Sequence, residues 1–246
     1  METNQKFSIK KLVMQLAWDA PYSTQDLAAL GLRPTHAARL AESGWLKRLG
    51  RGVYQVPNGK LDRDKTIAFL ASQVSGLHVG GKTALAWRGT RQNLAVTERL
   101  ILWGHKNGRL PVWFTKTFHS IYQTTKIFDD TLPPDYGLAP LPAGHPKLMV
   151  SVPERALLEL FSDTGKLQSL EETMNLAESV RNLRPDVLEM LLSHTTRIKV
   201  VRQAKALAEN LDLPWLDLAH KHSQRLGSER RWIAVTRDKR ILTLKK

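Results

Sequence analysis

The 246-residue chain contains no cysteine. It therefore has no disulfide framework, no thiolate metal ligand and no cysteine nucleophile, a composition that fits a reducing cytoplasm. No apolar run approaches the roughly 18–20 residues that span a bilayer, and no membrane partner is expected. The N-terminal LVMQLAW stretch is too short, and too soon followed by Asp19, for a signal peptide. Internal repeats and low-complexity tracts are missing as well. Acids beside a lysine, as a metal-dependent nuclease needs, occur at Asp62, Asp64 and Lys65, which read as a solvated helix start. His220 and His222 stand two apart, a spacing that splays side chains on a helix, so they read as surface residues and not as a metal pair. No nucleophile–base pair is recognisable, and neither an enzymatic activity nor a cofactor is expected.

Acidic residues are also scarce: 23 against 37 Lys and Arg, a formal charge of +14. The excess is localised. Residues 1–60 carry nine basic and four acidic side chains, residues 61–193 fifteen and fourteen, and residues 194–246 thirteen and five. Two basic ends flanking a neutral middle point to a polyanion, most often nucleic acid.

The order of patterns predicts an α+β protein, with a winged helix-turn-helix over residues 1–58 and a larger mixed α/β domain over 61–246. Ile9, Leu12, Val13, Leu16 and Ala17 share one face of a helix predicted over 8–19, with Ser8 as N-cap. Ser23 with Asp26 three residues later opens a second helix, which stops at Gly31. Pro34 starts a third helix, which ends at Gly44. WLKRL and GVYQV then form a two-stranded wing, with Gly50 and Gly52 supplying the turn. A PNGK linker closes the unit.

Beyond it, a helix is predicted over 61–75, with Ile67, Leu70, Ala71 and Val74 in step, and a short one between Gly80 and Gly89. Strands and hairpins are expected over about 94–152. Among them RLILW and VWFT bracket Asn107-Gly108, LPPDYGLAPLPAGHP is a loop, and KLMVSV is a short strand. Helices follow over 153–224, with patterns at 169–181, 185–194, 197–210 and 214–224, and a terminal hairpin spans 230–244.

In a winged helix the third helix enters the major groove and the wing meets backbone or minor groove. Ala37, Ala38, Leu40 and Ala41 turn inward, leaving Thr35, His36, Arg39 and Ser43 outward. Arg39 has the fork geometry that takes guanine O6 and N7. Thr35 and His36 stand at the helix start, and Lys47, Arg48 and Arg51 on the wing suit phosphates. Ser23 and Thr24 complete the predicted DNA-binding set. At the other end, Arg197, Lys199, Arg202 and Lys205 decorate a helix and Arg230, Arg231, Arg237, Lys239 and Arg240 crowd the terminal hairpin, giving either a solvated face or a second basic surface.

GLHVGGKT at 76–83 satisfies the phosphate-loop pattern G-x-x-x-x-G-K-[ST]. That cradle needs a buried strand before it and a long helix after it. Here a helix-period pattern precedes, and ALAWRG breaks after two turns, so the stretch reads as a chance match at a Gly-bounded helix start. The rival readings are a nucleotide-hydrolysing enzyme built on this loop, and an RNA- or protein-binding adaptor using the basic C-terminus.

The wing GWLKRLGRGVY, then VGGKTALAWRG, SVPERALLELF, PWLDL and LGSERR, in this order, make the chain resemble the AbiEi antitoxin family over nearly its whole length. The resemblance implies a bifunctional regulator of a bacterial type IV toxin–antitoxin system. Its winged helix would bind inverted repeats in its own promoter, as double-stranded DNA. Its C-terminal domain would counter an AbiEii-like nucleotidyltransferase toxin without a stable complex. The resemblance implies no enzymatic activity and no nucleotide site at the GGKT stretch.

Overall fold

The computed structural model describes residues 13–90, 99–105, 107–226, 232–235 and 241–244. The chain is α+β and divides into two compact units, one of residues 1–73 and 109–118, the other of 74–108 and 119–246. The first unit thus holds more than residues 1–58: it also takes 59–73 and a second pass of the chain.

In the first unit, β1 (Tyr22–Ser23), α1 (Thr24–Ala29), α2 (Pro34–Glu42), β2 (Lys47–Gly50) and β3 (Val53–Gln55) follow in sequence. Ser23 caps α1 in a reciprocal box: its Oγ accepts from the Asp26 N–H, and Asp26 Oδ2 accepts from the Ser23 N–H. Pro34 takes the first position of α2, where its missing N–H costs nothing, and Gly44 leaves that helix at φ 79°. β1 adds a third strand to the wing, in the order β1-β3-β2, with Tyr22 opposite Tyr54. Leu16, Leu27, Leu32, Ala37, Leu40, Leu46, Tyr54 and Val56 form the core, so one apolar face from each element is buried.

Three expectations need correction here. Ser8, Ile9 and Leu12 lie outside the described residues; among the described ones helix covers only residues 13–15 and gives way to a bend at Leu16, short of Asp19. Of the two wing glycines only Gly52 has the left-handed backbone, at φ 70°. Gly50 instead sits at the register shift of β2 against β3, where a Cβ would come within 3.0 Å of the Trp113 indole. That indole belongs to α5 (Val112–Thr117), the VWFT stretch expected to be a strand. Pro111 caps α5 and Phe114 is fully buried, so the rings serve packing and not a ladder. Helix α3 (Arg63–Ala71) joins the same unit: Lys65 Nζ pairs with Asp19 at 2.6 Å, and Phe69 packs on Trp113 at 6.4 Å between ring centroids. Val74 lies past its end.

The second unit is built on a five-stranded sheet, order β6-β5-β4-β8-β7, from β4 (His78–Val79), β5 (Leu100–Trp103), β6 (Ser120–Gln123), β7 (Leu138–Ala139) and β8 (Val150–Ser151). Within it β4 runs parallel to β8 and β5 to β6; the other pairs are antiparallel. β7 interrupts the stretch expected to be wholly loop. Helix α4 (Gly81–Trp87) packs on α6 (Pro153–Asp163), which is buried from Glu154 to Asp163. Helices α7 (Leu170–Ser179), α8 (Pro185–Ser193), α9 (Ile198–Asn210) and α10 (Leu216–Arg225) follow, then the antiparallel hairpin β9 (Trp232–Val235) and β10 (Ile241–Leu244). Their bounds lie close to the periods read from the sequence.

Candidate nucleic-acid interface

The expected recognition helix α2 turns Ala37 and Leu40 into the core. Thr35, His36 and Arg39 are all exposed, and as i, i+1 and i+4 they share the outer side. Lys47, Arg48 and Arg51 are exposed on the wing that follows. Arg48 Nε reaches back to the Gly50 carbonyl at 3.3 Å, which holds its stem across the strand. None of these cations is engaged by an acid among the described residues. Arg33, which the sequence reading passed over, is exposed at the N-cap of α2; Pro34 was the signal, since it fixes the helix start one residue later. Trp45, 47 % exposed between α2 and the wing, is a second such residue.

Ser23 and Thr24 stand differently. The Ser23 hydroxyl donates to Asp26 Oδ2 at 2.7 Å and accepts from the Asp26 N–H, so its polar capacity is spent on the cap. Thr24 is half-buried, with its N–H donating to the Gly52 carbonyl at 3.0 Å. Both residues tie the start of α1 to the wing, Ser23 opposite Val53 and Thr24 at Gly52.

The C-terminal basic set is not one surface. Lys199 and Arg202 are buried at 5 % and 2 % exposure. Lys199 Nζ donates to the carbonyls of Ser162 and Thr164 at 2.9 and 2.5 Å, completing the carbonyl end of α6, where a cation is favoured. Burial holds that ammonium below the usual lysine range, at about 8. Arg197 is half-buried and reaches Ser162 Oγ at 3.4 Å, and Lys205 pairs with Glu209 at 3.5 Å. Two of the four cations therefore lie inside, and Lys199 braces the end of α6. Arg230, Arg231, Arg237, Lys239 and Arg240 lie outside the described residues.

The GGKT loop has the buried strand that the helix-period reading denied it, namely β4. What stands at its helix start is a carboxylate. Glu159 Oε2 accepts from the Gly81 N–H at 2.9 Å, and a Cβ at Gly80 would collide with the same oxygen. Lys82 is paired with Glu172. A phosphate would have to displace one negative charge and capture a lysine already engaged. His222, expected on the surface, is buried at 3 % with Nε2 3.0 Å from Glu189 Oε2; His220 is exposed. Among the described residues no cluster of His, Asp and Glu is arranged to hold a metal ion, and no helix is long and apolar enough to cross a membrane.

The two motifs of the second unit meet in a polar knot. Glu159 Oε1 takes His78 Nε2 at 3.0 Å and Arg155 Nε at 3.1 Å, and Oε2 also takes Ser151 Oγ at 2.9 Å. Arg88, from the GGKT segment, donates to the carbonyls of Ala139, Val150 and Ser151. Glu154 receives the Arg184 N–H and guanidinium at 2.8–3.0 Å. Burial pushes the Glu154 carboxyl upward, and the Arg184 hydrogen bonds and charge outweigh that push and hold it below its ordinary range. Charged residues inside the apolar PERALLELF run were the signal that these side chains have partners.

Two family models match the chain. One, for the N-terminal domain of AbiEi antitoxin transcriptional regulators, matches residues 5–96; the other, for AbiEi antitoxin transcriptional regulators of type IV toxin–antitoxin systems, matches residues 97–242. Among solved structures, the fold is similar to that of the RV2827C protein from Mycobacterium tuberculosis. The TM-score is 0.60 and the identity 17 %, over 90 % of this chain and 81 % of that one. No curated protein matches the chain.

Proposed function

The chain belongs to the AbiEi antitoxin family of transcriptional regulators of type IV toxin–antitoxin systems, and from that premise we propose that it is a DNA-binding autorepressor and antitoxin, acting in the cytoplasm without enzymatic activity. It binds inverted repeats in its own promoter and counters an AbiEii-like nucleotidyltransferase toxin with which it forms no stable complex. The observation that carries the DNA reading is the joint exposure of Thr35, His36 and Arg39 on α2 and of Lys47, Arg48 and Arg51 on the wing. Helix α2 enters the major groove, where Arg39 reads a base edge, while the wing cations and the start of α2 grip phosphates.

A gel shift on the DNA upstream of the gene tests this. Binding with a steep salt dependence is expected, each phosphate contact adding about 0.9 to the slope of log K against log salt. Arg51→Ala weakens binding to every sequence and lowers that slope by about one contact. Arg39→Ala instead relaxes base preference by about 1–3 kcal/mol. No binding at low salt overturns the repressor reading. Growth rescue on co-expression with the toxin, retained by the Arg39→Ala/Arg51→Ala double variant, separates the antitoxin role from repression.

A further inference from the structure

At one end of the five-stranded sheet in the second unit lies a cavity of about 350 Å³. It is walled by His78 and Trp103 at strand ends, by the loop around 124–134, and by Arg155 and Glu159 of α6. Its size is in the range of roughly 300–1,000 Å³ that takes small organic ligands. The DNA reading above makes no use of it.

The polar groups of this wall are unequally engaged. Its carboxylates are occupied. Glu159 receives four donors, from His78, Arg155, Gly81 and Ser151. Asp129 Oδ1 accepts from the Thr131 N–H and hydroxyl and lies 3.0 Å from His194 Nδ1. Asp130 holds Lys126 at 2.6 Å.

Three polar groups of the wall are left without partners among the described residues. Arg155 is 5 % exposed; its Nε serves Glu159 and its Nη1 the Tyr136 carbonyl at 2.6 Å, while Nη2 makes no hydrogen bond among the described residues. The same is true of the His105 ring and the Thr125 hydroxyl, both on the wall. His78 Nδ1 lies 2.7 Å from the Gly76 carbonyl and Nε2 3.0 Å from Glu159, so both ring nitrogens are engaged within the fold. The His105 imidazole is held below its ordinary range by burial, then by the charges of His78 and Arg155.

The geometry points to a binding site for a small organic anion, a carboxylate or phosphate ester with an apolar body. Its acidic group lies against Arg155 Nη2, the His105 ring and the Thr125 hydroxyl, and its body against Leu132, Pro133 and Phe128. A buried guanidinium N–H with no partner among the described residues favours an acceptor-rich ligand, because charge-assisted hydrogen bonds are the stronger kind.

Calorimetric titration of the full chain with benzoate, phenyl phosphate and benzamide, at fixed ionic strength, tests the site. Saturable binding of one or both anions is expected, with the neutral amide at least about tenfold weaker, the effect of losing one charge-assisted bond. The tighter anion identifies the acidic group as carboxylate or phosphate. Thr125→Val and, separately, His105→Ala are each expected to weaken the better anion several-fold. Neither side chain bonds within the fold, so both variants should melt like the parent; Arg155, which anchors Glu159, is left intact. Absence of saturable anion binding, equal binding of benzamide, or affinity unchanged in both variants overturns the assignment.

Discussion

At 1 % exposure the Glu159 carboxylate would be driven toward its neutral form by burial, yet the charge and hydrogen bond of His78, with Arg155 and the Gly81 N–H, hold it below the ordinary range. Glu159→Gln leaves the buried Arg155 guanidinium without its countercharge, a loss of about 3–5 kcal/mol expected from broken buried pairs, read as a lower urea midpoint. A depressed folded pKa sets the pH sense. This contribution is complete above the unfolded-chain value of about 4.3 and is lost as pH falls from there through the folded one. Asp163 behaves oppositely. Burial, then the Glu159 charge, pushes its carboxyl up to about 7. Gln123 Nε2 donates to Oδ1 at 2.7 Å, and Oδ2 accepts no hydrogen bond among the described residues. The folded state therefore holds a proton that the unfolded chain releases near pH ~3.9, and stability declines as pH rises from there to about 7. Asp163→Asn should abolish that decline and melt above the parent at a pH of about 8, with the gap closing near pH ~4. An unchanged pH profile would show that Asp163 titrates normally.

Elements were legible wherever a single residue type meets a local steric demand. Ser23 with Asp26, Pro34, Gly31 and Gly44 bound α1 and α2 because capping and left-handed backbone are decided within four residues. Ser23→Ala is expected to cost about 1 kcal/mol, measured by denaturant unfolding. It should also weaken DNA binding less than Arg51→Ala, since the hydroxyl faces Asp26 and not solvent. The VWFT segment illustrates the converse. Its aromatic and β-branched residues match a strand, but Phe114 is fully buried and Trp113 packs on Phe69, more than forty positions earlier in the chain. Likewise α9 gave the periodicity of a half-exposed helix, and contact with the end of α6 buried Lys199 as well. A lysine that caps carbonyls and one that meets solvent look identical in sequence.

Over the whole molecule, the chain leaves the first unit after Gln73 and returns for Arg109–Phe118. A fragment of residues 1–58 would lack Lys65, which pairs with Asp19, and Trp113, which covers Gly50. So small a domain has little burial to spare. It should therefore unfold at a lower temperature than the first unit does in the intact chain. Equal transitions by calorimetry would show that α3 and α5 contribute nothing. The same view redistributes the basic excess. The α2 and wing cations are on the surface, whereas part of the C-terminal excess neutralises helix ends in the interior. By itself the sequence determined α1 and α2 with their caps, the C-terminal helices, the wing, the basic character of the N-terminal unit and the order of motifs that mark the family, since all of these rest on local sterics, periodicity and composition. Only the tertiary structure decided that Glu159 closes the start of α4, that Lys199 and Arg202 are buried, and that Arg155, His105 and Thr125 face one cavity. Those outcomes depend on which side chains long-range packing brings within hydrogen-bond reach, and on how much water it removes from around them.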